Sequence, residues 1–134
     1  MNREIKFRAW DGKKMLYNVA VNGSTAFYIP SGLRCHCAVN IEDYLEIMQY
    51  TGFKDKNEKS IYEGDILRDE VDNICIVIFI KEWGMFGGVS VEEYGVYEAI
   101  GIDALDIELV HTFHLENGAF RIVGNIYENP KILG

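Results

Sequence analysis

The longest apolar stretch in the chain is seven residues, Ile74 to Ile80. That is far short of the roughly 20 residues a helix needs to span a bilayer. An unbroken run of this length reads instead as a strand covered on both faces, at the centre of a sheet. The composition supplies sheet-forming material around it. Isoleucine and valine together number 26, whereas leucine and alanine number only 15. β-Branched and aromatic side chains pack well on a pleated surface, and a helical bundle would need the Leu and Ala that are scarce here. With 49% hydrophobic residues the chain has enough apolar surface to exclude disorder. The 134 residues suit one domain, mainly β (a β-rich α+β class), expected as a small barrel-like or sandwich-like antiparallel fold.

Period-two alternation marks the strands. Ile5, Phe7 and Ala9 alternate with Lys6, Arg8 and Trp10, which places the two sets on opposite faces. Asp11-Gly12 is a tight-turn dipeptide leading into a returning strand over Met15 to Val21. Turns at Asn22-Gly23 and Pro30-Ser31-Gly32 then separate strands at Thr25–Ile29 and Leu33–Val39. Residues 41–49 read as the one short helix, because Ile41, Tyr44, Leu45 and Met48 follow helical spacing behind Asn40 as a cap. Lys54 to Lys59 contains no apolar residue and reads as an exposed loop or hairpin tip. Further strands are expected at Asp65–Arg68, Ile74–Ile80, Val89–Val91, Tyr94–Ile100 and Ala119–Tyr127, with a flexible loop at Trp83–Gly88. Two sub-regions are expected within the single domain. Residues 1–60 form an N-terminal meander plus helix, and residues 61–134 form a five-stranded, barrel-like core.

Charge divides along the same line. The net charge is −8 overall, +2 over residues 1–60 and −10 over residues 61–134. Such asymmetry suits contact between unlike regions of neighbouring subunits, so a homo-oligomer is expected. The N-terminus carries charges where a signal peptide needs an apolar run. With three cysteines, an odd number, free thiols in the cytoplasm are expected, with no membrane partner.

Candidate chemistry is sparse. Cys35-His36-Cys37 with His111 and His114 supplies zinc-ligand types, but Cys-X-Cys lacks the usual zinc-loop gap. Cys35 and Cys37 read as buried thiols on one strand face. No nucleophile elbow accompanies any cysteine or serine, and the glycines of Trp83–Gly88 match no phosphate-loop pattern. No catalytic residue, cofactor site or metal site is assigned. Arg3, Lys6, Arg8, Trp10, Lys13 and Lys14 form a basic and aromatic cluster suited to nucleic acid or a partner protein. The acidic total charge weighs against nucleic acid. Trp83 and Phe86 are a second candidate contact, an exposed aromatic loop.

Three segments carry a resemblance. They are Arg3-Glu-Ile-Lys-Phe-Arg-Ala-Trp-Asp11, Gln49-Tyr-Thr-Gly-Phe-Lys-Asp-Lys-Asn-Glu-Lys-Ser-Ile-Tyr-Glu-Gly-Asp-Ile-Leu-Arg68, and Val123-Gly-Asn-Ile-Tyr-Glu-Asn-Pro-Lys-Ile-Leu133. In order and position they resemble the YopX family of bacteriophage and prophage proteins. The resemblance implies a β-rich fold with a barrel-like core, self-association and a phage origin, with no agreed enzymatic activity or cofactor. One departure is Glu58, where the family usually has glycine, and it implies a longer loop there. The combined expectation is a phage-derived accessory protein acting as a non-catalytic protein-binding module, with an unknown phage or host protein as partner. A nucleic-acid binder is the second reading and an enzyme of unrecognised type the third.

Overall fold

In the computed structural model, which describes residues 4–22, 25–28, 39–41, 46–101 and 120–133, Asp11 sets the first hairpin. Its carboxylate accepts the N–H groups of Lys13 at 2.7 Å and Lys14 at 2.8 Å. This local bond turns β1 (Phe7–Trp10) back onto β2 (Met15–Asn22). β3 (Thr25–Tyr28) and β4 (Val39–Ile41) continue the meander beyond β2. On its other edge β1 pairs with β5 (Glu46–Lys54), and β5 pairs with β6 (Ser60–Tyr62). The result is a six-stranded antiparallel sheet in the order β4-β3-β2-β1-β5-β6.

The second sheet has four strands, in the order β10-β7-β8-β9. These are β7 (Asp65–Arg68), β8 (Ile74–Ile80), β9 (Met85–Val89) and β10 (Arg121–Asn125). The seven-residue apolar run is β8 and lies inside this sheet, as expected. Its two faces serve different packings. Ile76, Ile78 and Ile80 join Ile66 and Val89 under the helix, while Cys75 and Val77 join Ile61 and Leu67. Full burial of each such side chain contributes about 1.5–3 kcal/mol.

Several local expectations need correction. Residues 46–49 are strand, not helix. Met48 and Tyr50 are buried while Ile47 is exposed and Thr51 half-buried, the alternation of a strand whose backbone β1 requires as a partner. The helix, α1, spans Val91–Ile100, where two strands were expected. Ser90 caps it: its Oγ accepts the Glu93 N–H at 3.1 Å and its hydroxyl donates to the Glu93 carboxylate at 3.0 Å. Glu92 and Glu93 favour the positive end of its dipole, and Gly101 closes it at φ 83. Trp83–Gly88 is not a single flexible loop, because β9 begins at Met85. Among the described residues, the region from Ile61 onward does not close into a five-stranded barrel. Its strands form the open four-stranded sheet, while Ile61 itself belongs to β6 of the other sheet. The expected strand at Leu33–Val39 lies almost wholly outside the described residues. No helix among the described residues is long and apolar enough to cross a membrane.

Candidate functional site: a braced cleft between the sheets

Arg8 and Asp65 meet where β1 faces the start of β7. Arg8 Nη2 donates to Asp65 Oδ1 at 2.8 Å and to the Glu63 carbonyl at 3.0 Å. Asp65 Oδ2 accepts the Tyr62 N–H at 2.8 Å, so both carboxylate oxygens are engaged. The guanidinium lies 4.7 Å from the Tyr62 ring centroid, in cation–π range. Burial pushes the Asp65 carboxyl up, and the Arg8 charge with these hydrogen bonds pulls it back. Burial likewise pushes the Glu63 carboxyl up; its Oε1 accepts the Gln49 N–H at 3.0 Å.

Two more polar braces flank this pair. Asp55, 3% exposed, accepts the N–H groups of Asn57 and Lys59 through one oxygen and that of Ile122 in β10 through the other. It thereby ties the β5–β6 hairpin to the second sheet. Asn125 folds the chain end over the cleft. Its Oδ1 accepts the N–H groups of Tyr127 and Glu128, and its own N–H donates to Asn129 Oδ1 at 3.1 Å. Gly124 is required beside it, since a Cβ there would stand 2.4 Å from Asn129 Oδ1. Trp10 stacks on Tyr127 with ring centroids 6.0 Å apart.

Between these braces lies a cleft of about 490 Å³. Lys6, Lys59, Tyr17 and Tyr62 line it together with Asn125 and Asn129. Lys6 Nζ donates to Ser60 Oγ at 2.8 Å and sits 4.5 Å from the Tyr50 ring centroid.

The structure separates the residues that the sequence grouped. Lys6, Arg8 and Trp10 share one face of β1 by alternation, but that face is turned inward. Arg8 is buried in its ion pair, Trp10 is half-buried on Tyr127, and Lys6 borders the cleft. Lys13 and Lys14 are exposed in the hairpin turn, and Arg3 lies outside the described residues. Trp83 packs against the Ile76–Ile78–Ile80 side of β8, whereas Phe86 pairs with Phe79 at 5.1 Å on the other side. The two aromatics therefore do not form one surface. Cys35, His36, Cys37, His111 and His114 lie outside the described residues. Cys75 is 3% exposed, and burial pushes its thiol up to about 12. Sequence reasoning missed Asp55 as a brace because its partner, Ile122, is 67 residues away.

A two-sheet antiparallel protein, joined by buried polar braces at three separated motifs, is the class these features define. The chain belongs to the YopX family, whose profile, described as YopX protein, matches residues 6–134. Its structure is similar to that of protein EF1440 from Enterococcus faecalis, with a TM-score of 0.62 and 25% identity over 99% of this chain and 100% of that one. It also shares its fold with YopX from Bacillus subtilis, with a TM-score of 0.52 and 18% identity over 96% and 98% of the two chains. No curated protein matches the chain.

Proposed function

We propose that this chain is a non-catalytic protein-binding module of phage or prophage origin that associates with copies of itself. The observation that carries the reading is an exposed apolar strip. Phe79 is 43% and Ile47 36% exposed, and both border one depression that Glu46, Glu63 and Glu98 also line, with Phe86 paired to Phe79 at 5.1 Å. Aromatic and aliphatic anchors on rigid strands are the usual centre of a protein interface. The charge pattern supports it as well. Of the ion pairs between described residues, Arg8–Asp65 alone joins the basic residues 1–60 to the acidic residues 61–134. Among the described residues, then, little of the asymmetry is cancelled within the chain. The polar groups at the cleft support a non-catalytic role, since Asp65 and Asn125 are engaged within the chain, as is Glu63 at the neighbouring depression. Catalysis needs a poised acid, base or nucleophile instead. The nucleic-acid reading loses its central cation to the Arg8–Asp65 pair.

Light scattering at micromolar concentration and moderate salt tests the reading. A multiple of the 15.3 kDa chain mass is expected, reduced to one chain by Phe79→Ser with Phe86→Ser while circular dichroism is unchanged. A one-chain mass that holds on tenfold concentration would overturn it.

A further inference from the structure

The acceptors around the cleft are committed, and the groups left over are donors and cations. Asp65 is engaged at both oxygens, and Glu128 Oε1 accepts the Asn125 amide at 3.1 Å. By contrast the Lys59 side chain is exposed and forms no ion pair among the described residues. Lys6 donates to the neutral Ser60 hydroxyl and lies 3.4 Å from an exposed Glu4 carboxylate. Arg8 Nε–H is buried and meets no acceptor among the described residues. Arg8 and Asp65 cancel as a buried pair, which leaves Lys6 and Lys59 against Glu128 on the lining, one positive charge in excess within a chain of net charge −8. A cleft lined by one sign of charge concentrates the opposite ion. It also offers a flat wall. Tyr17 is 50% exposed and meets Tyr62 edge-on at 6.0 Å. The volume of about 490 Å³ suits a small molecule, whose sites run to roughly 300–1,000 Å³.

We propose that this cleft binds a small organic phosphate bearing a flat ring, a nucleoside monophosphate in chemical class. The phosphate lies toward Lys6 and Lys59, and the ring rests on Tyr17. This site is separate from the apolar strip and does not depend on the self-association reading.

Calorimetric titration of the full chain with adenosine monophosphate, adenosine and inorganic phosphate tests it. Saturable binding of the monophosphate is expected, weakening as salt is raised, with the two fragments at least roughly tenfold weaker. Lys59→Glu and Tyr17→Ala change exposed side chains, so each is expected to weaken binding roughly tenfold with its melting temperature unchanged. Should Tyr17→Ala fail to fold, Lys59→Glu with the two fragments decides. Absence of saturation at millimolar monophosphate overturns the proposal, as does undiminished binding by Lys59→Glu. Tighter binding of a short single-stranded oligonucleotide than of the monophosphate overturns it too.

Discussion

Arg8 Nη2 stands 2.8 Å from Asp65 Oδ1, with the two side chains 4% and 2% exposed, and it links the first strand of one sheet to the first strand of the other. Ions so deeply buried are expensive to desolvate, and they persist where hydrogen bonds complete their coordination. Here the Glu63 carbonyl takes a second bond from Arg8 Nη2 and the Tyr62 N–H occupies Asp65 Oδ2, while Arg8 Nε–H meets no acceptor among the described residues. The charged motif residues consequently act first as braces between sheets.

Glu58 has φ 64, in the left-handed region. A tight turn surrounds it, because its N–H donates to the Asp55 carbonyl at 3.0 Å and Asp55 N–H donates to Lys59 at 2.7 Å. The loop is therefore not lengthened as the missing glycine implied; glutamate occupies a glycine conformation instead. A side chain there costs about 1–2 kcal/mol, partly offset by the greater freedom of unfolded glycine. Glu58→Gly is expected to stabilise the protein by about 0.5–1 kcal/mol in urea unfolding.

Gly124→Ala is expected to act in the opposite direction. Its Cβ would strike the Asn129 carboxamide that accepts the Asn125 N–H. Overpacking of this kind costs about 1–3 kcal/mol, read as a lower urea midpoint with an unchanged slope.

Much of this architecture was legible in the chain, and the misread elements share a cause. The β8 run and the Asp11-Gly12 hairpin rest on local pattern and came through intact. Residues 46–49 carry both a helical spacing and a strand alternation, and what decides between them is β1, some forty positions away. At α1 a real signal was present, Ser90 three residues before Glu93. Strand-favouring Val91, Val96 and Ile100 outweighed it in a reading based on propensity. Lys6, Arg8 and Trp10 were correctly placed on one face, but the carboxylate that neutralises Arg8 is 57 residues distant. Alternation gives a face, and only tertiary packing says what covers it.

The raised Glu63 carboxyl predicts a pH dependence of stability. Because folding favours its protonated form, the contribution is present below its unfolded value and is lost as pH rises through the folded value. Glu63→Gln keeps an acceptor for Gln49 and cannot ionise. It is expected to melt higher than the parent at pH 7, with the difference closing below about pH 4. Parallel melting profiles from pH 4 to 7 would refute this.

Cys75 is expected to be inert in the folded chain, since burial holds it as the neutral thiol at neutral pH. Iodoacetamide at pH 8 followed by peptide mapping should leave Cys75 unmodified in native protein and alkylated in urea.

The central claim is that Arg8 and Asp65 brace the two sheets, and a double-mutant stability cycle tests it most directly. Arg8→Met or Asp65→Leu alone leaves one buried charge unpaired and is expected to cost about 3–5 kcal/mol. The double variant, with both charges gone, should recover most of that loss in urea unfolding. Single variants as stable as the parent, or a double variant as unstable as the two losses added, would contradict the account.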